Sequence, residues 1–185
     1  MSLDYSQKND LQPLATVVQA LQSVAQPMSM DFFLMGAAAR DLMLYHAHNI
    51  APTRRTTDVD FAVMVQDWNS FAALREALVK NGDFIERPGP TVHRLLHQTT
   101  RLPLDIVPFG GIERADRTIV WPPDQSTVFD CFGAREAFNA SVSVQLPLDI
   151  SLNVASIPAL ALLKMVFPRF LGHSVKSGLI DISIT

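Results

Sequence analysis

The chain has 185 residues, 48% apolar and 18% charged, which supplies one domain with a sizeable core and excludes wholesale disorder. Its net charge of −3 gives no general attraction to nucleic acid, so any such binding must come from a local patch. Cys131, the single cysteine, excludes an intramolecular disulfide framework and a multi-cysteine zinc site.

The opening MSLDYSQKNDLQPL has neither a basic nor an apolar leader region. The longer apolar stretches, such as Ile157–Phe167 with its Lys164, are too short to span a bilayer, so a cytoplasmic protein with no membrane partner is expected. Residues 10–26 place Leu11, Leu14, Val17, Val18, Leu21 and Val24 at helical spacing, and Pro27 closes the run. This predicts an N-terminal segment, 1–30, whose amphipathic helix packs on a larger domain. DFFLMG then predicts a short apolar strand ending at Gly36, and AAARDLMLYHAH a helix.

After a polar loop over 49–57, DVDFAVMV predicts a strand in which Val59, Phe61, Val63 and Val65 alternate with Asp58, Asp60, Ala62 and Met64. The next run, DWNSFAALREALVKNG, predicts a helix capped by Asp67 or Asn69 and stopped at Asn81-Gly82. Residues 83–101 predict two strands broken by the turn RPGP, and LPLDIVPFG a further strand with Asp105 facing away from Leu104 and Ile106. Residues 112–125 read as loop, and 138–148 as one or two strands. DISLNVASIPALALLKMVF reads as a strand and then a helix entered at Ser156 with Pro158 in its first turn. The order predicts a single α/β domain with a mixed sheet and flanking helices, its core over 31–167 and an irregular or strand-forming tail over 168–185.

Asp58 and Asp60 are two apart in a strand and project from the same face. Two carboxylates that close repel, and one keeps a proton unless a cation sits between them; a divalent ion is the simplest compensation. An ordinary solvated acidic face is the alternative for a lone Asp-x-Asp pair. Asp105, on a second strand, would turn the pair into a site able to hold two metals for in-line phosphoryl transfer. Gly36, between strand and helix, would let backbone N–H groups approach a phosphate, although such a turn also serves plain packing.

The run GAAARD, followed after about fifteen residues by RRTTDVDF, resembles the motif of the DNA polymerase β-type nucleotidyltransferase superfamily. The order Arg54-x-Thr56-x-Asp58-x-Asp60 resembles the branch that contains AbiEii-type toxins, and IPALALLKMV resembles that branch's lysine-bearing helix, which puts its lysine at Lys164. The resemblance implies a nucleotidyltransferase fold and transfer of an NMP from an NTP to a hydroxyl of RNA, a protein or a small molecule. It implies Mg²⁺ or Mn²⁺ on Asp58, Asp60 and Asp105, with Asp105 also helping to deprotonate the acceptor. Gly36 and Ala37 would hold phosphate oxygens, with Arg40, Arg54, Thr56 and Lys164 on the nucleotide side. It further implies a toxin with an antitoxin partner.

Two departures stand against full activity: the turn is Gly36-Ala37 where the family has Gly-Gly or Gly-Ser, and no charged helix follows Lys164. The second reading is therefore a catalytically inactive binding module of the same fold. His46 and His48 do not share a helical face, and His93 and His97 share one only on a helix where a strand is expected, so no zinc site is predicted. Arg87, His93, Arg94, His97 and Arg101 form a basic stretch that reads as a solvated sheet edge, with an RNA contact as the sharper alternative.

Overall fold

A computed structural model describes residues 2–52, 56–86, 93–122 and 128–166. The elements that carry the site are β2 (Phe32–Met35), α2 (Gly36–Arg40), β3 (Val59–Val65), β5 (Arg94–His97) and β6 (Pro103–Gly110). Around them stand β1 (Ser2–Asp4), α1 (Gln12–Ala25), α3 (Trp68–Lys80), β4 (Phe84–Glu86), β7 (Thr118–Val120) and β8 (Val128–Asp130). The described chain closes with α4 (Ala134–Asn139), β9 (Val142–Leu146), β10 (Ile150–Val154) and α5 (Ile157–Val166). Eight strands form one mixed sheet in the order β1-β9-β10-β2-β3-β6-β5-β4, and β7 with β8 make a separate antiparallel ribbon.

The centre of the sheet is apolar on both faces. Six of the seven residues of β3 are buried, Asp60 and Ala62 included, so the strict alternation of apolar and polar positions expected for this strand is replaced by burial on both sides. On the face shared with Asp60, Phe138 of α4 packs on Phe33 and Phe109, with ring centroids 5.9 and 6.1 Å away. On the opposite face Phe32 meets Phe61 edge-on at 5.6 Å. Burying a phenylalanine fully contributes roughly 1.5–3 kcal/mol, and Phe33, Phe61 and Phe109 are all fully buried. These rings fix the two strands that carry Asp60 and Asp105.

Helix α1 buries Leu14, Val17, Val18, Leu21 and Val24, the stripe its spacing predicted. Gln22 Nε2 donates to the Ser151 carbonyl at 2.7 Å and ties the helix to β10. Helix α3 begins where Asp67 Oδ1 accepts from the Ser70 amide at 2.7 Å, which selects Asp67 as the cap, and it stops at Asn81 before Gly82 at φ +87°.

Four expectations need correction. Residues 1–30 contribute more than a helix, because β1 joins the sheet in parallel with β9; at three residues it is too short to show a period. Residues 112–125 include β7, and α4 precedes β9; both elements have few residues to pattern. The described part of the basic stretch does not form a sheet edge, since β5 (Arg94–His97) lies between β4 and β6 and His97 is buried; Arg87 lies outside the described residues. The predicted helix after Gly36 changes at Asp41 into a π-helical segment, Asp41–His46. The RPGP turn and the tail over 168–185 lie outside the described residues.

Candidate active site

Asp60 sits at the meeting point of three strands. On one side it faces Met35, the last residue of antiparallel β2; on the other it faces Asp105 across the parallel β3–β6 ladder. Partners in register project from the same face, so Asp60 and Asp105 lie side by side, with Asp58 just ahead of β3. Asp60 and Asp105 are 5% and 4% exposed, almost entirely out of water. Burial, and then the negative charges of Asp58 and Asp105, push the Asp60 carboxyl up to about 8.

The chain turns from β2 into α2 directly against this carboxylate. Gly36 has φ +68°, and a Cβ built there would lie 2.1 Å from Asp60 Oδ2. Only glycine meets both conditions. The next amide, that of Ala37, hydrogen-bonds to Asp60 and opposes part of its upward shift.

Arg94 supplies the positive charge. It is the cross-strand partner of Asp105 in the β5–β6 ladder. Its Nε donates to Asp105 Oδ1 at 2.6 Å and its Nη2 to Asp105 Oδ2 at 2.5 Å. The same Nη2 donates to Asp58 Oδ2 at 3.0 Å, so one guanidinium spans two of the three acids. These carboxylates, Asp105 first, raise the Arg94 pKa further above its already high value. His93 Nε2 lies 3.9 Å from Asp105 Oδ2, and its ring meets Trp121 at 5.9 Å and Phe129 at 5.8 Å. Burial lowers its pKa below that of an ordinary histidine.

The other candidates separate. Arg40 is held by Asp41, with its Nε at 3.0 Å and Nη2 at 2.8 Å from Oδ1, and Thr56 Oγ1 donates to the second oxygen of the same carboxylate. Arg40 and Thr56 therefore converge on Asp41, which sequence reasoning did not single out. Lys164 lies exposed near the end of α5. Arg54 is outside the described residues. A groove of about 590 Å³ runs between α3 and the Trp121-Pro122 segment, past Trp68, Phe71 and Arg75, but none of the three aspartates lines it.

Arg94 is the side chain beside the three aspartates that sequence reasoning placed elsewhere. Read along the chain it belongs to a basic stretch, and its partner Asp105 is eleven residues away. Only the register of β5 on β6 puts the two face to face. Cys131 is the buried thiol expected, its Sγ 3.8 Å from the Pro108 carbonyl oxygen, and burial pushes it up to about 12.

No family model and no curated protein matches the sequence. Among solved structures, an antigenic nucleotidyltransferase-like protein from Paracoccidioides brasiliensis is similar with a TM-score of 0.50 and 18% identity over 80% of this chain. The matched region spans 62% of that protein's length. ANT(2")-Ia in complex with adenylyl-2"-tobramycin is a looser likeness, at TM-score 0.43 and 13% identity over 84% of this chain and 79% of that one. At such identities the likeness concerns architecture. The chain has the mixed α/β nucleotidyltransferase fold, one sheet with helices flanking it. Among the described residues, no helix is long and apolar enough to cross a membrane.

Proposed function

We propose that this chain is a metal-dependent nucleotidyltransferase that moves an NMP from an NTP to a hydroxyl acceptor. The observation that carries the reading is the in-register pairing of Asp60 with Asp105 on adjacent parallel strands, with Asp58 one pleat away and Gly36 against Asp60. Two buried carboxylates and the half-buried Asp58 offer an all-oxygen donor set, the kind that Mg²⁺ or Mn²⁺ takes. Among the described residues no group of three or more His, Cys, Asp or Glu side chains is already arranged to hold a metal ion. Arg94 is bonded to Asp58 and Asp105 in its place. The donors are of the chemical type that the ion takes, and Asp60, buried beside two like charges, would gain from its charge.

In this reading Asp58, Asp60 and Asp105 would hold the metal. A divalent ion so held would supply positive charge to the triphosphate and to the departing pyrophosphate. Gly36 and Ala37 would present backbone N–H groups to phosphate oxygens, the Ala37 amide leaving Asp60 to do so. Asp105, once its oxygens are free of Arg94, accepts the proton of the attacking hydroxyl. Arg40 and Thr56, organised on Asp41, together with Arg54 and Lys164, are assigned to the nucleotide side. The Arg54-to-Asp60 motif supports placement near the AbiEii-type toxin branch, and an antitoxin partner belongs to that placement. The acceptor is a hydroxyl of RNA, protein or a small molecule. Labelled NTPs offered to total RNA and to protein lysate test it: transfer abolished by Asp60→Asn is expected, and the same transfer from the Asp60→Asn chain would refute it.

A second reading, a catalytically inactive binding module of the same fold, draws on Arg94 itself, because a guanidinium can replace a metal as the permanent partner of buried acids. The Gly36-Ala37 turn, without a serine hydroxyl, points the same way. Calorimetry with Mg²⁺ and each NTP separates the two: the module gives no metal-dependent heat.

A further inference from the structure

We propose that Arg94 is the resident counter-ion of this site, holding the place between Asp58 and Asp105 that a divalent ion takes, so that metal binding displaces its guanidinium. The inference rests on the metal-dependent reading above and adds a step to it. A single nitrogen, Nη2, lies 2.5 Å from Asp105 Oδ2 and 3.0 Å from Asp58 Oδ2. An ion coordinated by both oxygens at about 2.1 Å would occupy the same space. The two cations also repel one another, so they exclude each other by volume and by charge.

Arg94 is built for this exchange. Its backbone is fixed in β5, directly across from Asp105, so the side chain returns to the same partner whenever the ion leaves. Its side chain is 29% exposed, which leaves a route outward to water, while Asp105 is buried. Its grip engages both oxygens of Asp105, the carboxylate assigned to the acceptor proton. Displacement thus does two things at once: it opens the metal seat and frees Asp105. Without a cation of either kind, buried Asp60 would face two uncompensated neighbours. The arginine therefore keeps the metal-free fold intact.

The test is Mn²⁺ binding to the full chain, read from loss of the free-ion EPR signal. Four proteins are compared: wild type, Arg94→Gln, Asp60→Asn, and Arg117→Gln as a control for net charge. Arg117 pairs with Glu113 and Glu136 and touches none of the three aspartates. Removing a competing charged hydrogen-bond pair should tighten Mn²⁺ binding by about tenfold or more in Arg94→Gln. Arg117→Gln should match wild type, and Asp60→Asn should lose the site. Equal or weaker binding by Arg94→Gln, or equal tightening by both arginine variants, overturns the proposal while leaving the metal site standing. If neither wild type nor Arg94→Gln binds Mn²⁺, the metal-dependent reading itself falls and this inference with it.

A second measurement needs no variant that must fold. The Arg94 Nε–H is held by Asp105 Oδ1, so its NMR signal should exchange slowly with water in the metal-free wild type and several-fold faster after Mg²⁺ is added. An unchanged Arg94 signal at Mg²⁺ concentrations that saturate the Asp60-dependent site overturns the displacement.

Discussion

A carboxylate that is 5% exposed and flanked by two more keeps its proton or gains a cation, and Asp60 is that carboxylate. Its folded pKa of about 8 stands above an ordinary 3.8, so between those values the native chain holds more protons than the unfolded one. Stability from this group is fully present at low pH and falls as pH rises toward about 8. Asp60→Asn should therefore melt above wild type at pH 8, with the gap shrinking at pH 5. An equal gap at both pH values would remove Asp60 as the cause. Gly36 permits a paired comparison with Gly82. Both have positive φ, but a Cβ at Gly82 meets nothing within 4 Å, whereas one at Gly36 strikes Asp60. Gly82→Ala should cost about 1–2 kcal/mol in backbone strain alone. Gly36→Ala should cost more and lower Tm by roughly 5 °C or more. Equal losses would mean that the contact with Asp60 relaxes freely.

Elements were legible in the sequence in proportion to the length of their pattern. Helices α1 and α3, with thirteen or more residues each, declared their apolar stripes and stops. Strands β1, β7 and β8 hold three residues each, and α4 holds six, too few for a period to emerge. The start of α3 is a local device with a local test. Asp67→Ala removes the acceptor of the Ser70 amide and should cost about 1 kcal/mol, measured by urea unfolding. No change would mean that the first turn is held by packing of Trp68 and Phe71 on Trp121 instead. Cys131, the residue after β8 with its Sγ against the Pro108 carbonyl of β6, reports on the packing there. Its raised pKa and burial should make the native thiol inert to a disulfide reagent at pH 8 and reactive once unfolded. Fast native labelling would show that this layer opens.

Across the whole molecule, the acids were legible and their neutralisation was not. Asp58, Asp60 and Asp105 stand out because carboxylates break apolar runs, and a period of two says which way they point. Which strands lie side by side is a long-range fact: β6 pairs with β3 across a helix and two further strands of intervening chain, and the sequence contains no local sign of the Asp60–Asp105 register. Arg94 became visible only through that register, as did the convergence of Arg40 and Thr56 on Asp41. The fold thus brings Asp58, Asp60, Asp105 and Arg94 into one cluster of opposite charges, and in the proposed reading its chemistry depends on whether a metal ion enters that cluster. Calorimetric titration of the full chain with NTP, with and without Mg²⁺, tests this directly against Asp60→Asn. The nucleotidyltransferase reading predicts heat that requires Mg²⁺ and disappears in a folded Asp60→Asn variant. Nucleotide heat that is absent, independent of Mg²⁺, or retained by Asp60→Asn would contradict it.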